Sequence, residues 1–320
     1  MNSTLDLSRM EKVKYYAEKI TARCPACAAE GGDRAGGHFF LNSSTGQWGC
    51  AARPGDGEHR KQIFGLIGVR GEPPFQETRT WQAARKNERE QAAARQNLIQ
   101  ATRNRREVIV SRWAWDEYDI WESSPQRIDQ PLVEQDPRHF LASLFPQDAV
   151  VWTGRVTESG RGSRFADRWK TVQAWNAEKH GHCGPMTTPA IWSPGTLSRS
   201  ADHVLNKPYV VADFDGFDGI KPKTPCEVEE HLAAARAITR WLAEGLHWRI
   251  AAIVATGSKS LHVWFHAPSA TVIDSLHVVA EALGMDRGLI KNAEHPVRLP
   301  GVIHEKTSSI SRVLWLQSPT

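Results

Sequence analysis

The sequence predicts an α+β protein: a small metal-stapled module, then a larger domain of short strands and amphipathic helices. Three stretches carry that reading. Cys24-Pro25-Ala26-Cys27, followed by Cys50, sets thiols at the spacing of a structural metal knuckle in a Gly-rich segment too small for a good core. Tyr209 to Ala212 is an apolar, β-branched run that ends in Asp213-Phe214-Asp215. Ser260 to Phe265 alternates, with Ser260, His262 and Trp264 on one face and Leu261, Val263 and Phe265 on the other.

The totals bound the function classes. With 320 residues the chain is long enough for two domains, or for one large domain plus a small module. Its 40% hydrophobic and 24% charged residues are those of a soluble globular protein. A formal net charge of +4 permits nucleic-acid contact without demanding it. Thirteen tryptophans offer flat faces for cores or for stacked bases. No apolar run approaches the ~20 residues of a membrane helix. The opening stretch, MNSTLDLSRMEKVKYYAEKI, reads as a charged amphipathic helix without the apolar centre of a signal peptide. A cytoplasmic protein with no membrane partner is therefore expected. Five cysteines, three of them clustered near the start, point to a metal site rather than a disulfide framework.

Residues 1–74 form the first expected module. The CxxC knuckle can grip Zn²⁺ from a single turn, and Cys50 follows a hairpin-like stretch through Phe39, Phe40 and Trp48. A tetrahedral site needs a fourth ligand. His59 and His38 are the candidates, and the spacing C-x2-C-x22-C-x8-H favours His59. In so small a segment the metal would supply much of the folding energy.

Residues 75–130 read as a helical basic linker. The span 75–107 is rich in Ala, Gln, Glu and Arg, with too few apolar residues for a buried stripe. A solvated linker is favoured over a basic arm on a nucleic-acid backbone. The third region, 131–320, opens with a helix around Pro137–Leu144 and a strand at Val150–Trp152. Loops with short elements follow over 156–200, where Ser198-Arg199-Ser200 could aim a guanidinium at the acidic strand.

The chemistry concentrates after residue 201. Side chains alternate along a strand, so Asp213 and Asp215 share a face while Phe214 enters the core. Carboxylates so placed repel unless a cation or a proton lies between them. A strand ending in an ordinary acidic turn is the simpler alternative. Residues 226–244 predict a helix with Leu232, Ala235, Ile238, Trp241 and Leu242 on one stripe and Gly245 as its stop. Strands over 250–254 and 260–265 flank the turn Thr256-Gly257-Ser258-Lys259. Lys259, Ser260 and His262 form a donor cluster suited to phosphate oxygens. A helix over 270–283, Met285-Asp286, and HPVRLPGVIHEKT follow, with Arg298 set in an apolar run and Lys306 in a loop. Ile310 to Leu316 reads as a closing strand.

Two resemblances arise from these motifs. Residues 24–66 resemble the Cys-His-Cys-Cys (CHC2-type) zinc ribbon found at the N-terminus of DNA primases, in the CP.C opening, the aromatic hairpin, the Gly-Cys pair and the PGD that follows. Cys27 stands where that family has His, and no second Cys follows soon after Cys50. Residues 205–316 resemble the catalytic core of the archaeo-eukaryotic primase (primase-polymerase) superfamily. The matching motifs are Asp213-Phe214-Asp215, then Ser260-Leu261-His262, then Met285-Asp286 followed by VRLPG; Glu294 is the other acid near the third.

The resemblance implies an RRM-like primase-polymerase core behind a zinc ribbon, acting as a DNA primase on single-stranded DNA. It implies that Asp213, Asp215 and Asp286 hold catalytic Mg²⁺ or Mn²⁺. His262, Ser260 and Lys259 would hold nucleotide phosphates, and Arg298 and Lys306 would neutralise growing charge. NTPs or dNTPs would be substrates. A phosphate loop of the type GxxxxGK[ST] is absent from the sequence, so unwinding by a separate replicative helicase is expected. A phage, plasmid or other mobile replicon is the expected setting. Two rival readings remain at this level. VVADFDG also resembles the nucleophile strand of haloacid-dehalogenase phosphatases, whose downstream acidic pair is missing here. The other is a non-catalytic nucleic-acid-binding protein with a primase-like fold.

Overall fold

The computed structural model describes residues 5–68, 79–155, 168–178, 183–304 and 307–318, and the chain divides into two units, 1–89 and 90–320. In the first unit, β1 (Lys14–Tyr15), β2 (Lys19–Ala22), β3 (Phe39–Asn42) and β4 (Trp48–Cys50) form an antiparallel sheet in that order. Helix α1 (Pro25–Ala29) follows β2, and α2 (Gly57–Ile67) follows β4. The opening stretch is not the amphipathic helix that its pattern predicts. After a 3-10 turn at Leu7–Arg9 it is extended, because pairing joins Ile20 to Leu41 and Ala22 to Phe39. Sheet pairing outweighs the small helix preference of an isolated segment. Ala22, Phe39, Leu41, Ile63 and Ile67 then pack around the buried cysteines.

Of the helix expected over 75–107, residues 75–78 lie outside the described residues, and α3 (Arg79–Arg112) covers the rest and runs on to Arg112. The second unit continues with α4 (Glu117–Glu122), α5 (Pro131–Gln135), α6 (Pro137–Leu144), β5 (Val150–Gly154), β6 (Trp169–Thr171) and α7 (Val172–Ala177). Short strands β7 (Met186–Thr187), β8 (Ile191–Trp192) and β9 (Val204–Asn206) lead into β10 (Tyr209–Phe214). Then come α8 (Pro225–Arg240), β11 (Ile250–Ala255), β12 (Leu261–His266), α9 (Ala270–Val279), α10 (Arg287–Lys291), β13 (Val297–Arg298) and β14 (Arg312–Leu316).

The fold is mixed α+β with small antiparallel sheets, and one of them positions the site. Its order is β10-β12-β11-β14. A single bridge, Phe214 to Met285, adds to the outer edge of β10. Helix α8 starts at a capping box: Thr224 Oγ1 accepts from the Glu227 N–H at 3.2 Å, and Glu227 Oε2 accepts from the Thr224 N–H at 3.1 Å. A π-helical turn, Trp241–Gly245, replaces its expected last turn.

Both faces of this sheet are covered. Val210, Ala212, Phe214, Leu261, Val263 and Phe265 pack with Ala235 and Ile238 of α8 and Leu276 of α9. On the opposite face Tyr209, Val211 and Trp264 pack with Phe140, Leu144 and Phe145. Trp264 is fully buried, with edge-on rings from Phe140, Phe145 and Tyr209 at 5.5, 6.4 and 5.9 Å. Trp264→Ala is therefore expected to destabilise the second unit by about 3–5 kcal/mol, read by denaturant unfolding; a loss below about 1 kcal/mol would show that this layer does not hold the sheet.

Candidate metal centre and carboxylate cleft

Cys24, Cys27, Cys50 and His59 are all buried, and their ligand atoms lie within 4.8 Å of one another. Three elements bring them there. Cys24 caps α1 and Cys27 lies one turn on; Cys50 ends β4; His59 sits in the first turn of α2. Asp56 fixes that turn by accepting from the N–H groups of Glu58 and His59 at 3.0 Å. His59 Nε2 faces the Cys24 and Cys27 sulfurs, each at 3.4 Å. His38, the other candidate, turns to Asp33 at 3.8 Å and is half-exposed.

Asp33 shapes the knuckle loop. Its buried carboxylate accepts from the N–H of Cys24 at 2.7 Å and from those of Gly36, Gly37 and His38 at 3.0 Å. Burial opposes its ionisation, but these donors outweigh it and hold the carboxyl below the usual range. Burial and the neighbouring thiols push Cys27 up to about 12, and burial pushes Cys24 the same way. Without a cation these thiols stay protonated; a cation that draws the protons off completes the cluster. Three sulfurs and one imidazole at this spacing are compatible with structural zinc.

The acidic site lies at one end of β10. The register sets Asp213 opposite His262 on β12, with His262 Nε2 3.4 Å from Asp213 Oδ1. The His262 side chain is 8% exposed, and neither its Nδ1 nor Asp213 Oδ1 has a hydrogen-bond partner. Asp215, just past the strand, accepts from Lys221 Nζ at Oδ2, while Lys259 Nζ lies 3.4 Å from Oδ1. Burial raises the Asp215 carboxyl, but the two ammonium groups more than offset this and hold it below the usual range. The bond to Asp215 holds Lys221 above the usual lysine range despite burial, and Asp213 and Asp286 add attraction.

The backbone brings in the third acid. Asp286 N–H donates to the Asp213 carbonyl at 2.7 Å, and Asp215 N–H to the Gly284 carbonyl at 3.1 Å. Gly284 has φ +83°, and a Cβ there would meet the Phe217 ring at 2.6 Å. Asp286 caps α10 by accepting from the Gly288 N–H at 2.7 Å. A cleft of about 370 Å³ opens beside these groups, lined by Asp215, Lys221, Asp286 and Arg287 among others. The three aspartates do not close to the spacing of the cysteine cluster; among the described residues, that cluster alone groups three or more such ligand atoms within 4.8 Å.

Other expected residues fall elsewhere. Ser260 precedes β12, and its carbonyl accepts from the Thr256 N–H and hydroxyl at 3.2 and 2.8 Å, which closes the turn that carries Lys259. Arg298 lies on β13, paired with Met186 of β7, in a different sheet, and does not line the cleft. Arg199 lies over the Trp152 ring at 4.5 Å instead of aiming at the acids. Lys306 falls outside the described residues.

Sequence reasoning missed the loop after Asp215. Arg103 Nε and Arg106 Nη1 of α3 donate to the Asp218 carboxylate at 2.8 and 3.0 Å. Arg106 also donates to the Ala282 carbonyl at 2.8 Å and lies 4.7 Å over the Phe217 ring. Their i, i+3 spacing put both guanidiniums on one side of the helix. The helix read as a solvated linker thus clamps the loop that leads to Lys221.

No protein-family model, curated protein or solved structure matches the chain. Among the described residues, no helix is long and apolar enough to cross a membrane.

Elemental analysis of the purified chain is expected to give about one equivalent of zinc. Cys50→Ser is expected to release it and unfold the first unit, because structural zinc binding is folding energy; full zinc occupancy in that variant would exclude this ligand set. A second outcome concerns acid. Burial raises the Asp218 carboxyl, but Arg103 and Arg106 outweigh it, so the folded form ionises below the usual range. Its stabilisation is present above the ordinary Asp value of about 3.9 and is lost as pH falls through the folded value. Asp218→Asn should lower the melting temperature at neutral pH, with the gap from wild type closing below about pH 4. A gap constant across the acid range would reject the ionic clamp.

Proposed function

We propose that the chain is a DNA primase or primase-polymerase that makes short primers on single-stranded DNA by template-directed nucleotidyl transfer. One observation carries the reading: three stretches far apart in sequence meet at one sheet end. Asp213 and Asp215 lead off β10, His262 faces Asp213 from β12, and Asp286 bonds the Asp213 backbone. These are the stretches that carry the primase-polymerase resemblance, in the same order along the chain. The spatial order Met285, β10, β12, β11, with α8 and α9 as the helices, is that of a split β-α-β fold and supports an RRM-like core. β14 is then an added edge strand.

The residues suit a hard cation. Asp213 Oδ1 is a buried carboxylate oxygen without a hydrogen-bond partner, which is what a divalent ion would supply. Asp213, Asp215 and Asp286 would hold Mg²⁺ or Mn²⁺, whose chemistry is to lower the pKa of an attacking 3′-hydroxyl and to stabilise departing pyrophosphate. Lys259, Ser260 and His262 would donate to phosphate oxygens from one face of β12 and its turn. His262, held between strands, would keep a fixed ring position through the reaction. In the first unit, exposed Tyr15 and Tyr16, with Lys19 Nζ 5.6 Å from the Tyr16 ring, form an aromatic and basic surface. Bases stack on such rings without sequence readout, which supports a single-stranded template as partner.

The test is synthesis on single-stranded DNA with labelled NTPs and dNTPs, Mg²⁺ or Mn²⁺, and no primer. Short products are expected from the wild type. Asp213→Ala and Asp215→Ala are expected to lose about a thousandfold in rate, because a bound ion contributes several kcal/mol and each ~1.4 kcal/mol is tenfold. Unchanged circular dichroism would show that folding survives. Equal activity in these variants rejects the site, and no synthesis by zinc-loaded wild type favours a non-catalytic nucleic-acid-binding protein.

A further inference from the structure

The two neighbouring carboxylates are neutralised unequally. Asp213 has one buried imidazole beside it, with Nε2 3.4 Å from Oδ1, and that oxygen accepts no hydrogen bond. Asp215 has two ammonium groups, Lys259 at Oδ1 and Lys221 at Oδ2. The two lysines differ in kind. Lys259 comes from the tight turn closed by Thr256 and Ser260, and its side chain is 28% exposed. Lys221 is 60% exposed and also lines the 370 Å³ cleft with Asp286 and Arg287.

We propose that Lys221 is the resident counter-ion of the carboxylate site, holding Asp215 until a divalent cation displaces it and then turning to the phosphates of a nucleoside triphosphate in the cleft. This rests on the nucleotidyl-transfer reading. A cation and an ammonium cannot share Asp215 Oδ2, so one must leave. The exposed, flexible lysine stem moves at little cost. Its backbone does not move with it. On one side Asp218 is clamped by Arg103 and Arg106; on the other the Lys223 N–H donates to Glu227 Oε2 at 2.7 Å, within the α8 capping box. The ammonium therefore swings from a fixed root between the carboxylate and the cleft. The cleft has the size of a small-ligand pocket. A triphosphate entering it brings the charge that the displaced ammonium lacks. Beside Asp213, and outside the cleft lining, His262 is more than nine-tenths buried and unpartnered at Nδ1.

The inference predicts opposite effects on metal and nucleotide. Mn²⁺ binding to the zinc-loaded full chain is measured by electron paramagnetic resonance in wild type, Lys221→Ala, Lys221→Arg and Asp213→Asn. Lys221→Ala is expected to bind Mn²⁺ about three- to fivefold more tightly, the contribution of one partly exposed ion pair. Lys221→Arg keeps the competing charge and is expected to bind no more tightly than wild type. In primer synthesis Lys221→Ala is expected to raise the KM for nucleotide about tenfold, the loss of one charge-assisted contact, with a smaller change in kcat. Mn²⁺ binding that depends on Asp213 but is unchanged in Lys221→Ala overturns this inference alone. Binding that is absent, or that persists in Asp213→Asn, overturns it together with the nucleotidyl-transfer reading.

Discussion

The carboxylates of Asp213, at the end of β10, and Asp215, just past it, each need a compensating donor at one end of the central sheet. Asp213 and Asp215 meet this need at the edge of a packed layer, where solvent screening is weak. A charge left bare there costs several kcal/mol, so each neighbouring element supplies compensation. β12 offers His262 through strand register, its leading turn offers Lys259, and the loop after Asp215 returns to offer Lys221. Each donor comes from a segment with its own anchor. None relies on the carboxylates to hold it in place.

The first unit solves a similar problem with a different donor set. It is too small to fold on apolar burial alone, and three thiols and an imidazole lie buried together in its core. The Asp33 and Asp56 carboxylates accept from backbone N–H groups, which fixes the turns presenting Cys24 and His59. In both units an aspartate that does no chemistry sets the geometry of the residues that would: Asp33 for the thiols, Asp218 for Lys221. Such residues are hard to recognise in a sequence, because Asp in a Gly-rich turn is ordinary.

That difference separates what the sequence showed from what it hid. The cysteine cluster follows from a local spacing, and the strand expected over 209–212 and the alternation expected over 260–265 from local periodicity; the structure groups the cysteines, extends the first strand to Phe214 and starts the second at Leu261. The opening helix does not form because residues 14–15 pair with 20–21 and residues 19–22 pair with β3, which gains more than their own helical pattern. The Arg103–Asp218 contact links residues 115 apart in sequence, beyond any windowed pattern. Arg199 precedes the acidic strand and could reach it from there. Proximity in sequence carried no information about Trp152, the ring it covers. Lys221 was overlooked for the opposite reason: a loop lysine is unremarkable until Asp215 is seen beside it.

Fold and site cannot be separated at Phe214. Its ring is fully buried between two partly buried aspartates, its carbonyl accepts from His231 Nε2 at 3.0 Å, and its backbone bridges to Met285. The layer under α8 and α9 takes Val210, Ala212 and Phe214 in sequence, and the opposite layer takes Tyr209 and Val211. A slip of β10 by one residue would exchange these sets and drive both carboxylates into the apolar layer. Hydrophobic alternation thus enforces the register that sets Asp213 against His262, and Met285 ties Asp286 to the same strand. The carboxylates hold their positions because the apolar residues between them have nowhere else to pack.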